Sequence, residues 1–259
     1  MERRDLVRGG PPVSVIGFGA FKIGRNEKIK YPAGYRLPTF DEAQRLLGGV
    51  LDLGINYIDT APAYGHSEEW IGRAISTRRH EYLLSTKVGE NFEHGQSSWD
   101  YSAPGVRRSV ERSLQRLRTD VLDLVYIHSR GDDDEVLTQT DAVPALQAMR
   151  DAGKVRWIGL SGYTEQGARS AMQWADAIMV EYHLRDTRFS GVIAEARRRG
   201  CGVAVKKPLG SGHLDPGQAL AFVLRDQGVA TAVVGSLSLD HIRQNIAAAS
   251  QVAGPAAGG

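Results

Sequence analysis

Ile55-Asn56-Tyr57-Ile58-Asp59-Thr60-Ala61-Pro62-Ala63-Tyr64-Gly65 begins as a buried strand and ends as a turn. Pro62 ends the strand, because it lacks a ladder donor and restricts the residue before it. Gly65 permits a tight turn. Ser67-Glu68-Glu69 then reads as a cap with acids suited to a helix N-terminus. The order is strand, loop bearing a carboxylate (Asp59) and a phenol (Tyr64), then helix. On an α/β scaffold that order puts both groups at the carboxyl end of the strand, where such folds keep their chemistry.

The same rhythm of short apolar run and longer amphipathic run repeats on either side. Expected strands are 13–19, 55–60, 82–87, 122–128, 156–161, 177–182, 203–207 and 231–234. They are rich in Val and Ile and mostly lack polar alternation, as strands covered on both faces do. Expected helices are 40–53, 68–76, 104–117, 141–152, 165–174, 190–199, 216–226 and 239–250. Thr39 and Glu42 form a capping box before the first, and Gly54 stops it. Val106, Val110, Leu114 and Leu117 line one face of the third, with Pro104 in its first turn. Eight strands alternating with eight helices is the count of a (β/α)8 TIM barrel, an α/β fold. The alternative is a doubly wound open sheet. Its glycine-rich turn would fall at Gly17-Phe18-Gly19-Ala20-Phe21, which lacks the third glycine at the right spacing.

Composition agrees with one globular unit. The chain has 259 residues, 42% hydrophobic and 24% charged. No linker divides it, so residues 1–252 read as a single barrel domain and 253–259 as a disordered tail. The long connection 22–38 reads as a functional rim or a packed surface excursion. No apolar run approaches the ~20 residues of a membrane span. Met1-Glu2-Arg3-Arg4-Asp5 is not followed by an apolar stretch, which predicts no secretory signal. The single cysteine, Cys201, excludes an internal disulfide and a cysteine metal cluster. A cytoplasmic protein is expected. The net charge of +2 gives no reason to expect nucleic acid.

Strand ends carry the chemistry. Asp59 ends the second strand, with Tyr64 just beyond. Lys87 ends the third and His128 the fourth. Alone, each reads blandly: a loop-capping aspartate, a surface lysine, a packed tyrosine, a rim histidine. On three consecutive strands of a barrel they converge. A lysine in an apolar strand end calls for a carboxylate, which Asp59 supplies. A free phenol, with a pKa near ~10, is a poor acid at neutral pH; a nearby cation lowers that value. Lys87 is expected to do this to Tyr64 while Asp59 anchors the ammonium. His128 is expected to orient a substrate oxygen. Such a site moves a proton at an oxygen whose carbon undergoes redox change.

The chain resembles the aldo-keto reductase superfamily along nearly its whole length. Residues 56–65 with Ser67-Glu68 resemble the family's first signature. Glu111-Arg112-Ser113-Leu114-Gln115-Arg116-Leu117 with Asp120 and Leu122-Asp123-Leu124 resembles its second. Ser85-Thr86-Lys87 and Ile127-His128 complete an Asp-Tyr-Lys-His tetrad. The resemblance implies carbonyl reduction with a nicotinamide cofactor, usually NADPH, with Tyr64 delivering the proton.

The resemblance also marks cofactor positions. Gly159-Leu160-Ser161-Gly162 is similar to a Gly-Leu-Ser-Asn segment whose Ser and Asn hold the carboxamide; Gly162 stands for the Asn. Met179 stands where many members carry Gln. In Lys206-Lys207-Pro208-Leu209-Gly210-Ser211-Gly212, Lys206 falls where other branches stack a tyrosine. Leu209, Gly210 and Ser211 are assigned to the pyrophosphate, and Pro208 to the cofactor wall beside them. The adenosine end comprises Gly235, Ser236, His241, Gln244 and Asn245, where members gripping a 2′-phosphate often use a Lys and an Arg. Ala20, Phe21 and Asp59 complete the set. NADP(H) is the expected cofactor and NAD(H) the alternative.

The substrate rim is assigned to Lys22, Phe92, Trp99, Ser129, Arg130 and Tyr182. The chain ends just after its eighth helix, which predicts an open pocket and loose selection. The partner is a small-molecule carbonyl compound, and the protein is expected to be a monomer or weak homo-oligomer. Other readings stay open: a cofactor-sensing barrel with little turnover, or a dedicated redox, lyase or isomerase step on one substrate.

Overall fold

The computed structural model describes residues 1–29 and 31–251. Among them, eight parallel strands close a barrel. They are β1 (Ile16–Gly19), β2 (Tyr57–Asp59), β3 (Leu83–Val88), β4 (Leu122–His128), β5 (Val155–Ser161), β6 (Ala177–Glu181), β7 (Gly202–Lys206) and β8 (Thr231–Val234). Eight helices follow them in turn: α1 (Phe40–Asp52), α2 (Ser67–Ile75), α3 (Ala103–Leu117), α4 (Ala142–Asp151), α5 (Glu165–Ala171), α6 (Ser190–Arg199), α7 (Pro216–Arg225) and α8 (Leu239–Ser250). No described helix is long and apolar enough to cross a membrane. The expected tail, 253–259, lies outside the described residues.

Local signals act as the sequence predicts. Thr39 accepts from the Glu42 amide at 3.3 Å and Glu42 accepts from the Thr39 amide at 2.8 Å. Val106, Val110, Leu114 and Leu117 are all buried. Ser67 is a correction, because it caps nothing. Its hydroxyl donates to the Ala20 carbonyl at 3.0 Å and meets Thr60 at 2.8 Å. Glu68 and Glu69 stand in the first turn of α2, as expected; Glu68 is fully buried and accepts from Thr86 at 2.7 Å.

Strands that look uniformly apolar carry a hidden alternation. One parity faces the helices; Ile58, Leu84, Val125 and Ile158 belong to that outer core. The other faces the barrel axis, where Tyr57, Leu83, Leu124, Tyr126, Ala177, Met179, Ala204 and Val233 form a second core. Continued toward the carboxyl ends, the inner parity reaches Asp59, Lys87, His128, Ser161 and Lys206. The floor is sealed by Leu6, Val7 and Val13. These come from a hairpin pairing Arg3–Arg4 with Val13–Ser14, so the expected strand 13–19 is two pieces. Asn56 ties this plug to β2, accepting from the Ser14 amide and donating to the Pro12 carbonyl.

Two extensions build the mouth. A short helix, Phe21–Gly24, follows β1. A hairpin, Glu90–Glu93 with Gln96–Trp99, follows β3 and turns at His94 and Gly95, both at positive φ. The β1 extension is locked to the loop after β2 by backbone contact. A Cβ on Gly24 would lie 2.0 Å from the Tyr64 carbonyl oxygen and 2.5 Å from the Ser67 amide nitrogen. Gly24→Ala is expected to cost about 1–3 kcal/mol through overpacking. Thermal and denaturant unfolding check this, and an unchanged midpoint would contradict the packing.

Candidate active site

β2 and β3 pair with Asp59 opposite Ser85, which sets Lys87 one pleat above the carboxylate. Lys87 Nζ donates to Asp59 Oδ1 at 2.8 Å, to Asp59 Oδ2 at 2.7 Å and to the Thr60 carbonyl at 2.8 Å. All three ammonium donors are thereby used. Lys87 is 1% exposed and Asp59 4%. Burial pulls the lysine below its ordinary pKa, and the Asp59 charge holds against that pull. Ser85 donates to Asp59 Oδ1 at 2.8 Å. Beneath it the Tyr57 hydroxyl lies 2.8 Å from Ser85 Oγ and 3.2 Å from the Tyr126 hydroxyl.

Tyr64 stands over this pair, its ring centroid 4.8 Å from the Lys87 ammonium. It meets Phe21 edge-on at 5.1 Å and His128 edge-on at 6.3 Å. The expected lowering of its pKa is corrected: burial raises it well above the ordinary phenol value, and the Asp59 charge adds to that. Burial outweighs what the neighbouring Lys87 ammonium offers the resting phenol. Protonated Tyr64 is therefore the resting form at neutral pH.

His128 ends β4, and Tyr101 donates to its carbonyl at 2.7 Å. Its Nδ1 lies 3.0 Å from Glu90 Oε2. Burial lowers the His128 pKa, with the Glu90 carboxylate opposing the shift. Glu90 itself is pushed up by burial, but His128, Ser97 and Arg25 outweigh that and leave it below the ordinary carboxylate value.

A cavity of about 600 Å³ opens over these groups and runs across the barrel mouth. Phe21, Lys22, Asp59, Tyr64, Lys87 and His128 line one part of it. Ser161, Met179, Lys206, Pro208, Leu209 and Ser211 continue the wall. Gly235, Ser236, His241, Gln244 and Asn245 complete it at the start of α8. Lys206 Nζ donates to the Gly162 carbonyl at 2.8 Å and to Ser161 Oγ at 3.2 Å. Burial, helped by the neighbouring Lys207 charge, lowers Lys206 to about 7.

Several expected residues lie elsewhere. Ala20 is fully buried and contributes its backbone to Asp59 and Ser67. Gly162 sits behind the wall, where a side chain would meet Asp133 Oδ2 at 2.7 Å. Gly210 opens onto a neighbouring cleft with His183 and Arg185. Of the assigned rim, Lys22 alone lines the cavity. Phe92 lies under the Arg25 guanidinium, 3.4 Å from its ring centroid. Trp99 is 42% exposed on the hairpin. Ser129 is buried and accepts from the Gly131 amide at 3.2 Å. Arg130 pairs outward with Asp132 and Glu135. Tyr182 follows β6 with the outward parity and packs on Phe222, centroids 5.1 Å apart. The residues in their place are Arg25, Tyr31, Glu90 and Tyr163, which line the cavity unanticipated. Gly89 and the His94-Gly95 pair were the available signals for the hairpin that delivers Glu90.

The donor set suits a nicotinamide dinucleotide. Hydroxyls and amides at Ser161, Ser236, Gln244 and Asn245 match sugar and base polar atoms, and Lys206 and Lys207 match a pyrophosphate. The backbone at Lys207, Gly210, Ser211 and Gly212 is left-handed, as in turns that aim amides at anions. Lys87→Met removes one partner of the buried pair and is expected to destabilise the fold by about 3–5 kcal/mol. Denaturant unfolding reads this directly; a loss under 1 kcal/mol (roughly the surface-pair range) would contradict the pairing.

The model of the aldo/keto reductase family matches residues 15–219. A crystal structure described as an aldo-keto reductase from Pseudomonas aeruginosa superposes with a TM-score of 0.89 at 40% identity, covering 96% of this chain and 94% of its own. The holo form of an aldo-keto reductase from Bacillus halodurans superposes with a TM-score of 0.81 at 27% identity, covering 96% and 90%. L-galactose dehydrogenase of Arabidopsis thaliana is 28% identical over 97% of this chain and 89% of its own length. The chain belongs to the aldo/keto reductase family.

Proposed function

We propose that the protein interconverts an aldehyde or ketone and the corresponding alcohol with a nicotinamide cofactor, NADP(H) in preference to NAD(H). The observation that carries this is the meeting of Asp59, Lys87, Tyr64 and His128 at one part of a dinucleotide-sized cavity. A nicotinamide held in this cavity would supply the hydride that the carbonyl carbon takes up. Tyr64 gives its hydroxyl proton to the carbonyl oxygen, which completes the alcohol, and regains a proton from water. Lys87, held by Asp59 and the Thr60 carbonyl, meets the phenolate as it forms. This is an interaction strengthened in the transition state, the kind that accelerates a reaction. His128 orients the oxygen.

Ser236 and His241 are the groups offered to a 2′-phosphate, and NAD(H) fits the same wall without that contact. The name L-galactose dehydrogenase on a relative supports a polar, hydroxylated substrate, as do Arg25 and Glu90 in the cavity wall.

Tyr64→Phe is expected to lower kcat by about 10²–10⁴-fold with cofactor affinity unchanged, read by steady-state kinetics and by quenching of protein fluorescence. Retained turnover would remove Tyr64 as the acid. Lys206 supplies a pH dependence. Its folded pKa is about 7, so the ammonium is present below that pH and lost above it. Cofactor binding favours the charged form and is expected to weaken with rising pH above 7, by up to about tenfold per unit. Lys206→Met is expected to flatten the profile between pH 6 and 9; equal slopes in both proteins would count against a charge role for Lys206.

A further inference from the structure

Lys22, Lys28, Lys87, Lys206 and Lys207 line the cavity, and their partners set them apart. Lys87 is bound by Asp59, and Lys207 pairs with Glu181. Lys28 is exposed, and Lys22 rides on the Tyr31 and Tyr35 rings at the rim. Lys206 is held differently. Its Nζ donates to a carbonyl, Gly162, and to a hydroxyl, Ser161, and among the described residues no carboxylate pairs with it. The acids facing it are Glu181 and Asp133. Glu181 is taken by Lys207 and His183, and Asp133 by the Tyr163 and Thr164 amides and the Thr164 hydroxyl. The cations facing it are Lys207 and Lys87. The Tyr163 ring, 4.2 Å away, favours an ammonium; burial and the adjacent Lys207 charge oppose one more strongly. A desolvated lysine beside a second cation is the setting that frees the amine as a nucleophile. A neutral amine keeps two N–H bonds. The Gly162 carbonyl and the Ser161 hydroxyl can take both, which leaves the lone pair unspent.

We propose that Lys206 is a carbonyl-reactive lysine, whose amine captures an aldehyde as a reversible imine when no cofactor fills the cavity. The nitrogen lone pair attacks the carbonyl carbon. The C=O π pair moves to the oxygen, which takes up a proton given up by the nitrogen. The resulting carbinolamine loses its hydroxyl and the second nitrogen proton as water while the C=N bond forms. One water leaves, and nothing is oxidised or reduced. Water returns the aldehyde and the amine by the reverse path. The imine occupies the wall assigned to the dinucleotide, so capture and cofactor binding exclude each other. An aldehyde that arrives before the cofactor therefore inhibits, and excess cofactor relieves the inhibition. That kinetic consequence rests on the oxidoreductase reading above. The capture itself does not, because it needs only the amine and an open cavity.

The test incubates the full chain with glyceraldehyde and cyanoborohydride at neutral pH, without added cofactor. Cyanoborohydride reduces an imine to a stable secondary amine. Peptide mapping by mass spectrometry then reads the adduct at each lysine of the wild type, so no variant has to fold. Lys206 is expected to be labelled at least about tenfold faster than the exposed Lys154. Labelling of Lys206 no faster than Lys154 would overturn the proposal. NADPH or NADH, added beforehand, is expected to slow labelling at Lys206 and leave Lys154 unchanged. Fast labelling of Lys206 that neither dinucleotide slows would support the capture and count against the cofactor wall. In steady-state kinetics, inhibition by glyceraldehyde should fall as cofactor concentration rises, and Lys206→Met should lose it. A wild type that reduces no aldehyde would count against the oxidoreductase reading, while the labelling would still decide the capture.

Discussion

The buried ion pair of Lys87 with Asp59 is the constraint around which the barrel mouth is arranged. Two charges withdrawn from water cost several kcal/mol each, and their attraction repays this only when the remaining hydrogen-bonding capacity is also filled. Here it is filled from below and beside. The Thr60 carbonyl takes the third lysine donor, and Ser85 donates to the carboxylate. The Tyr57 and Tyr126 hydroxyls continue the polar chain into a barrel interior that is otherwise apolar. The chain fixes where Asp59 sits, Asp59 fixes Lys87, and Lys87 is the cation over which Tyr64 stands. Burial, with the Asp59 charge beside it, keeps Tyr64 protonated at rest.

The rim is a separate construction with its own logic. Residues after β1 and the hairpin after β3 bring Arg25, Tyr31 and Glu90 over the cavity. Lys22 rides on the Tyr31 ring at 4.1 Å from its centroid. The β1 extension cannot shift independently of Tyr64, because the Gly24 and Gly65 backbones meet without room for a side chain. Rim and floor are thus coupled through main-chain contact, and the position of the phenol depends on both.

Legibility in the sequence follows the range of each interaction. Helix starts and stops depend on residues three or four apart, which is why the Thr39–Glu42 box and the apolar face of α3 read correctly. The tetrad was legible because consecutive parallel strands of a barrel are neighbours, so residues near their carboxyl ends share one mouth. Trp99, Arg130 and Tyr182 misled because proximity in sequence to a strand end does not settle which way a side chain points. Tyr182 lies one residue past β6, and one residue of register turns a side chain from the mouth to the outer core. Glu90 was invisible for the converse reason: its role comes from a partner on another strand.

The sequence by itself determined the α/β alternation, the closed barrel and the convergence of Asp59, Tyr64, Lys87 and His128. Each of these follows from hydrophobic period, turn chemistry and strand order, which are local or topological. Only the tertiary structure decided the electrostatic state of those groups: the Asp59 charge spent on Lys87, Tyr64 held neutral by burial, Lys206 brought near neutrality, and His128 set against Glu90. Those states depend on desolvation and on distances of a few ångströms between residues far apart in the chain. Both arise only when the barrel has closed.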